Sequence, residues 1–519
     1  MPEVLEGTIE RITFQAEDTG YTVARLQVGE VELATVVGVM AGVQVGEGVR
    51  LEGEWSSHPQ YGRQFKFERY STLYPATLEG IRRYLGSGLI KGIGPVTAQR
   101  IVDHFGMETL EIIERQPERL LEVAGTGPKR VEIIQRGWQA QRQIKDVMVF
   151  LQSHGVGTAY AVKIYKTYGD RAISLVQANP YCLERDIWGI GFLTADRIAR
   201  NLGILPEAPE RLKAGLRYVL NQASDEGHVF LPKADLLEAA QKELEIGQEL
   251  LAGGLTALAA EQGAVLDGER VYLPPLHQAE VGIATALERL LRAPLRQKES
   301  QIEAAITALE GRLSIQYEAQ QREGLRMAAQ SKVMVLTGGP GTGKTTITRG
   351  IIALFEQQGQ KVLLCSPTGR AAKKLAEATG KPARTIHRLL GFKPPKGFEH
   401  HQENPLKVEA LIADEVSMVD IPLMHSLLKA LPASTRLVLV GDVDQLPSVG
   451  PGKVLRELIA SGVLPVVRLT HIFRQAQQSQ IVTNAHLINQ GEFPQINNRE
   501  ARDFFFVEEE DPERVATLI

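Results

Sequence analysis

Leu336-Thr-Gly-Gly-Pro-Gly-Thr-Gly-Lys-Thr-Thr346 follows an apolar run, Val333-Met-Val-Leu336, and leads into a helix-forming run from Thr346 to Phe355. Residues Gly338 to Thr345 fit G-x-x-x-x-G-K-[ST] in the strand–loop–helix setting that gives the pattern its meaning. Glycines let backbone N–H groups turn inward around phosphate oxygens, next to the positive end of the following helix. The spacing assigns Gly338, Gly339, Pro340, Gly341, Thr342, Gly343, Lys344, Thr345 and Thr346 to a phosphate-binding loop for a nucleoside triphosphate. Lys344 is the expected partner of the β- and γ-phosphates, and the Thr345 hydroxyl an expected ligand of Mg²⁺.

The flanking strands narrow the chemistry. Ala410-Leu-Ile-Ala-Asp414-Glu415-Val-Ser-Met418 is an apolar strand ending in two carboxylates. Asp414 is the candidate to hold Mg²⁺ through water, and Glu415 to polarise the attacking water. Leu437-Val-Leu-Val-Gly441-Asp442-Val-Asp444-Gln445-Leu-Pro447 is a further strand. Ligands of open α/β sheets bind at the carboxyl ends of strands, so Gln445 is a candidate sensor of the γ-phosphate. Val362-Leu-Leu-Cys365 is a fourth strand, followed by Ser366-Pro-Thr368-Gly-Arg370 and Thr385-Ile-His387-Arg388-Leu389. Between Arg388 and Lys407, Gly and Pro turns with Phe392 and Phe398 suggest a small hairpin inserted in the sheet. The βα alternation is expected from Glu299 to about residue 470.

Toward the N-terminus, short β-like runs occupy residues 4 to about 72, separated by turns such as Gly46-Glu-Gly48. Five such strands suggest a small barrel of OB type. Tyr21, Trp55, Tyr61 and Phe65 could present faces to bases, although aromatics at such positions more often fill a core. An internal repeat follows: Gly92-Ile-Gly94, Gly125-Thr-Gly127, Gly155-Val-Gly157 and Gly189-Ile-Gly191. Ala98, Val131, Ala161 and Ala195 stand four residues after each second glycine. Each G-x-G joins two helix-like segments, which resembles the helix–hairpin–helix motif of non-specific DNA-binding proteins. Hairpin glycines bring backbone amides and a helix N-terminus toward a DNA phosphate. Lys91, Lys129 and Arg130 add charge nearby. Residues 206 to about 300 read as either a winged-helix-like unit or a helical connector.

Composition sets bounds. The 519 residues suffice for three or four domains, and 43% hydrophobic with 23% charged residues is ordinary for a globular chain. Net charge is −4, so contact with nucleic acid must come from local patches. Two cysteines, Cys182 and Cys365, exclude a disulfide framework and fit a reducing cytoplasm. The N-terminus carries no signal-peptide pattern, and no apolar run approaches the ~20 residues needed to span a bilayer.

Together GGPGTGKTT, CSPTGRAAKKL, RTIHRLL, ADEVSM, GDVDQLP and THIFRQ resemble, in order and spacing, the motifs of superfamily 1 DNA helicases. The resemblance is strongest to RecD-like members of superfamily 1B, in the long N-terminal type that works without RecB and RecC. It covers essentially the whole chain. It implies ATP as the nucleotide, and an ATP-dependent helicase moving 5′ to 3′ on single strands in repair or recombination. Gln321 resembles the glutamine that reads adenine, with Gln320 a near-equal candidate. Thr368 and His387 resemble residues of the single-strand track, and Arg474 resembles the arginine that reaches the γ-phosphate. In the family the inserted hairpin is a pin that splits the duplex, which makes Phe392 and Phe398 its candidate contacts.

The expected organisation is a multidomain one. Residues 1–75 form an OB-like β domain, 76–205 a helix–hairpin–helix array and 206–300 a helical or winged-helix-like connector. An α/β RecA-like lobe spans 301–474, with the pin at about 391–407, and 475–519 begin a second lobe. The family's later motifs, T-x-H-x-x-Q-G and Y-x-A-x-T-R, do not occur in this sequence. The expectation is therefore a truncated second lobe, in a fragment of a longer protein or a truncated gene product. A rival reading for such a chain is a nucleotide-switched DNA-binding module without turnover. Expected partners are single-stranded DNA and single-strand/duplex junctions, with single-strand-binding or repair proteins beside them. The chain is expected to be a monomer, with no membrane contact.

Overall fold

The computed structural model describes residues 3–16, 21–29, 32–40, 43, 45, 48–58, 62–73, 78–86, 90, 92–154, 156, 158–293, 299–473, 477–496, 503–509 and 511–518. The chain forms two compact units, residues 1–215 and 216–519.

In the first unit, β1 (Glu3–Gln15), β2 (Tyr21–Val28), β3 (Glu32–Val39), β4 (Gly48–His58) and β5 (Gly62–Leu73) close into a barrel. The order is β1-β2-β3-β5-β4, with β3 and β5 parallel and the other pairs antiparallel. This is the Greek-key barrel of the OB fold. Alternate residues point inward, so Ile9, Leu26, Val36, Leu51, Phe65 and Phe67 fill its core. Phe65 is therefore a core residue and not a platform for bases. Trp55 packs edge-on against Phe65 and carries the Arg63 guanidinium over its ring at 4.2 Å. Tyr21 is partly exposed, and Tyr61 lies outside the described residues.

The helical array consists of α1 (Leu78–Gly86), α2 (Pro95–Phe105), α3 (Thr109–Arg115), α4 (Pro128–Ser153), α5 (Thr158–Tyr168), α6 (Ala172–Ala178), α7 (Cys182–Asp186) and α8 (Phe192–Asn201). Three hairpins share one backbone geometry. Gly92, Gly125 and Gly189 have φ of +102°, +88° and +95°, a region that only glycine occupies cheaply. The residue after each bonds back across the turn: Ile93 N–H to the Ile90 carbonyl, Thr126 to Val123, and Ile190 to Ile187. Those middle residues are buried, while the second glycines are exposed and open their helices. Ala98, Val131, Ala161 and Ala195 are all buried, which explains the small residue at that register. Gly155 and Gly157 lie outside the described residues. Asp196 on α8 is buried and accepts from Arg211 Nε (2.8 Å), Arg211 Nη2 (3.2 Å) and the Tyr181 hydroxyl (2.7 Å). That network fixes α8 to its neighbours, because stripping either partner would leave a buried charge unpaired.

The second unit begins in α9 (Pro209–Asp225) and continues with β6 (Phe230–Pro232), α10 (Lys233–Leu244), α11 (Gln248–Ala260), β7 (Val265–Asp267) and β8 (Arg270–Tyr272). The strands form an antiparallel sheet in the order β6-β8-β7. Helix–strand–helix–helix–strand–strand is the element order of a winged helix. α12 (Pro274–Leu291) then packs on α18 (Ile421–Lys429), inside the hydrophobic core beneath the main sheet.

Strand–helix alternation does not begin at Glu299. Two helices, α13 (Glu299–Leu313) and α14 (Ala319–Gln330), come first. The sheet itself is parallel and six-stranded. Its order is β11 (Ala383–Thr385), β10 (Val362–Ser366), β14 (Ala410–Ala413), β15 (Arg436–Gly441), β9 (Val333–Gly338) and β16 (Val466–Leu469). Between these strands run α15 (Lys344–Gln357), α16 (Gly369–Thr379), α17 (Ile386–Leu389), α18 and α19 (Val454–Ala460). Each central strand divides between two cores. Val333, Val335, Leu437 and Leu439 face one, and Met334, Leu336, Val438 and Val440 face the other. A sheet covered on both faces demands such continuous apolar strands. β12 (Phe392–Lys393) and β13 (Gly397–Phe398) pair antiparallel as a short hairpin outside the sheet. Among the described residues beyond 476, two helices occur, Gln480–Asn489 and Pro512–Leu518.

Candidate nucleotide site

Strands β9, β14 and β15 deliver their loops to one cleft of about 800 Å³. Its lining includes Gln321, Gly339, Pro340, Gly341, Thr342, Gly343, Lys344, Thr345, Thr346, Asp414, Glu415 and Gln445. The sequence-predicted nucleotide, metal and catalytic residues thus converge, with Gly338 behind them at the end of β9. Arg474 lies outside the described residues.

The loop is built from conformations and clearances that only glycine meets. Gly341 and Gly343 have φ of +75° and +82°. A Cβ on Gly343 would stand 2.5 Å from Gln321 Nε2, and one on Gly338 would stand 2.7 Å from the Leu469 carbonyl oxygen. The Thr342 hydroxyl donates to the Gly339 carbonyl at 2.8 Å and braces the turn from inside. Lys344 donates to the carbonyls of Gly338 and Gly339 and lies 3.9 Å from Asp442. Burial pushes the Lys344 ammonium below its ordinary pKa, opposed by the pull of Asp442, Glu415 and Asp414. His486, on the helix Gln480–Asn489, holds the outer turn with Nε2 3.1 Å from the Pro340 carbonyl oxygen.

The two acids differ. Burial first, and the neighbouring Glu415 second, push Asp414 up to about 6. Glu415 has φ of +55°, a left-handed conformation unusual for a non-glycine residue. Its Oε2 is buried with no hydrogen-bond partner among the described residues. Strain and an unsatisfied oxygen in one residue are what a preorganised functional group shows. Asp442 Oδ2 accepts from Gln445 Nε2 at 3.4 Å, so a buried carboxylate orients the exposed glutamine.

Gln320 and Gln321 separate clearly. Gln321 is buried, closes the N-terminus of α14 by accepting from Glu318 N–H, and lines the cleft. Gln320 faces away and grips the segment after β16. Its Oε1 accepts from Thr470 and His471 N–H at 2.9 and 3.4 Å, and its Nε2 donates to the Thr470 hydroxyl at 2.8 Å. Phe473, next along, bonds through its N–H to the Gly341 carbonyl at 3.3 Å.

The cleft also contains residues that sequence reasoning passed over: Ile315, Gln316, Ala371, Lys374, Leu375, Ala378 and Phe473. A signal existed for four of them. Ala371, Lys374, Leu375 and Ala378 are spaced i, i+3, i+4, i+7 along α16, one face of a helix. Thr368 does not reach the cleft; its hydroxyl caps α16 by accepting from Ala371 N–H at 3.3 Å. His387 clusters instead with the hairpin, 5.6 Å from the Phe392 ring and 5.7 Å from Phe398. Phe392 is exposed, whereas Phe398 is half-buried against the sheet's core.

The chain is similar to the ATP-dependent RecD2 DNA helicase of Deinococcus radiodurans. Identity is 34% over 515 residues, 95% of this chain and 71% of that protein. The chain belongs to the RecD2 family of ATP-dependent DNA helicases. Family matches along its length agree with this membership. Residues 2–75 match the OB-fold domain of the ATP-dependent DNA helicase YrrC, and residues 86–140 a SAM-like helix-hairpin-helix tandem. Residues 140–230 match the ATP-dependent RecD2 DNA helicase HHH domain, and residues 321–451 an AAA domain. The RecBCD enzyme subunit RecD of Mycolicibacterium smegmatis is 41% identical over 165 residues, 27% of this chain and 30% of that one. The ATP-dependent DNA helicase dda of Enterobacteria phage T4 is 38% identical over 137 residues, 25% of this chain and 31% of that protein. By this membership the chain is an ATP-hydrolysing DNA helicase. Among the described residues no helix is long and apolar enough to cross a membrane.

Proposed function

We propose that the cleft hydrolyses ATP with Mg²⁺ and that the cycle drives 5′-to-3′ movement along single-stranded DNA and unwinding of duplex. The observation that carries this reading is the convergence of Lys344, Asp414, Glu415 and Gln445 at the carboxyl ends of adjacent parallel strands, with one Glu415 oxygen unpaired among the described residues. The donor set fits a hard cation: a hydroxyl at Thr345 and a carboxylate at Asp414. Bound Mg²⁺ would neutralise charge on the β- and γ-phosphates. Lys344 leaves the carbonyls of Gly338 and Gly339 for the phosphates. Glu415 orients and deprotonates the attacking water, Gln445 senses the γ-phosphate, and Arg474 neutralises charge on it. Gln321 holds the base.

Thr368 and His387 belong to the strand track, and Phe392 with Phe398 to the pin at the junction. The glycine hairpins, Gly92/Gly94, Gly125/Gly127, Gly155/Gly157 and Gly189/Gly191, hold duplex phosphates. The protein works as a cytoplasmic monomer beside single-strand-binding or repair proteins. The domains at 1–75, 76–205, 206–300, 301–474 and 475–519 divide these tasks.

The test is ATP turnover by the 519-residue chain with and without an oligonucleotide, beside Lys344→Ala and Glu415→Gln. DNA-stimulated turnover that falls roughly 100-fold or more in both variants supports the assignment, on the scale of losing a principal catalytic group. Turnover retained in Glu415→Gln removes Glu415 as the base. Duplexes carrying only a 5′ or only a 3′ tail decide polarity.

A further inference from the structure

Trp188 stands immediately before Gly189 in the fourth hairpin and is 89% exposed. Nothing in the turn requires it. The second hairpin has Ala124 at the same position, with the same left-handed glycine and the same bond across the turn. Almost all of the indole is open to solvent, so its π face is free to receive a flat partner.

The surroundings state what that partner is. Lys163, on α5, donates to the Trp188 carbonyl at 3.4 Å and sets its ammonium 5.2 Å from the indole centroid. The same ammonium is 5.7 Å from the Tyr160 ring, and the Tyr160 hydroxyl donates to the Gly189 carbonyl at 2.8 Å. An aromatic face is thus fixed beside a cation, on a hairpin clamped by two side chains of a neighbouring helix. The ten-residue α8 opens at Gly191, directly after the turn, and is anchored by the Asp196–Arg211 pair. A flat π surface, an adjacent cation and a helix N-terminus match the base and phosphate of one nucleotide. A purely apolar protein partner would have to desolvate the Lys163 ammonium.

We propose that Trp188 is a base-stacking platform: the fourth hairpin holds an exposed DNA base on the indole while Lys163 takes the neighbouring phosphate. This rests on the reading of the hairpin array as a DNA contact. It adds recognition of an unpaired base or a duplex end to what backbone contacts alone provide.

The chain has three tryptophans; Trp138 is 7% exposed and Trp55 is partly buried between Phe65 and the Arg63 guanidinium. The difference in intrinsic fluorescence between the wild type and Trp188→Phe therefore reports on Trp188. The full chain is titrated with oligothymidylate, an abasic strand of equal length, a blunt duplex, and a duplex closed by hairpins at both ends. Binding is followed separately by anisotropy of labelled DNA. The expected result is quenching and protection from acrylamide with oligothymidylate, neither seen with the abasic strand nor in Trp188→Phe. Quenching by the blunt but not the closed duplex would place a terminal base pair on the same platform. Trp188→Ala should weaken oligothymidylate binding roughly 5-fold or more, and Trp188→Phe should restore most of it.

DNA bound by anisotropy with Trp188 emission and acrylamide access unchanged overturns the proposal. The fate of the underlying reading is separate. If Lys129→Ala/Arg130→Ala still lowers the salt dependence of binding, the array contacts DNA without Trp188. If that variant also changes nothing, the array itself is not the contact.

Discussion

Asp414 is pulled between stability and function. Its raised pKa of about 6 means the native state binds more protons than the unfolded chain between the ordinary value, 3.8, and about 6. Stability therefore falls as pH rises through that window, and the penalty is complete above it. Asp414→Asn should stabilise the chain at neutral pH by on the order of 1–2 kcal/mol while abolishing Mg²⁺-dependent turnover. Thermal melts at about pH 7.5 and about pH 4 check this, since the gain should shrink at the lower pH. A variant that melts earlier than the wild type at the higher pH would show that the carboxylate is not held at a cost. Turnover at limiting Mg²⁺ should rise with pH through about 6, and saturating Mg²⁺ should move that limb lower. The neighbouring glutamines separate by function. Gln320→Ala should lower kcat several-fold and leave the preference for ATP over GTP intact, because it loosens Thr470 to Phe473 while its own side chain stands outside the cleft. Gln321→Ala should weaken ATP binding and erode the preference for ATP over GTP. Steady-state kinetics with both nucleotides decide, and equal loss of base preference in both variants would remove the distinction. From sequence these two residues were interchangeable: neighbours on a helix point about 100° apart, and only the packing of β16 shows which faces the cleft.

At the scale of elements, the hairpins were legible because a glycine pair at fixed spacing has few physical alternatives. The two glycines do different work. Gly92 has φ of +102°, and a Cβ there would sit 2.9 Å from Ile133 Cγ2, whereas a Cβ on Gly94 meets nothing within 4 Å. Gly92→Ala should destabilise the first unit by roughly 1–3 kcal/mol, and Gly94→Ala, at an N-cap with room for a Cβ, by a smaller amount of about 1 kcal/mol or less. Urea unfolding of the full chain measures both, and equal losses would mean the turn is not held by its left-handed residue. The barrel was legible from alternation, but alternation does not say which face closes inward, so Phe65 could read as a platform until β3 paired with β5. α13 and α14 were missed for a related reason. The strand beginning at Val333 carries so strong a signal that the amphipathic run before it was absorbed into an assumed βα repeat. β7 and β11 are three residues each, too short for periodicity to register.

At the scale of the whole molecule, a net charge of −4 gives no overall attraction to DNA. Affinity must then be concentrated in a few places, and each should make a separable contribution to salt dependence. Lys129 and Arg130 stand at the second hairpin, both exposed, with Arg130 donating to the Gly125 carbonyl at 2.9 Å. They lie in one compact unit and the nucleotide cleft lies in the other. Replacing both by alanine should flatten the plot of log affinity against log salt for duplex DNA, and leave ATP affinity unchanged. The expected change in slope is about 0.9 for each phosphate that the chain no longer neutralises. Lys344→Ala should do the reverse: ATP binding falls while the duplex salt slope holds. Anisotropy over a salt series, paired with nucleotide titrations, measures both affinities for both variants. If Lys129→Ala/Arg130→Ala leaves the slope intact, the charge that meets DNA sits elsewhere. If it weakens ATP binding instead, the two units are energetically coupled even without DNA, and translocation would begin from a molecule whose hairpins already bias the state of its nucleotide cleft.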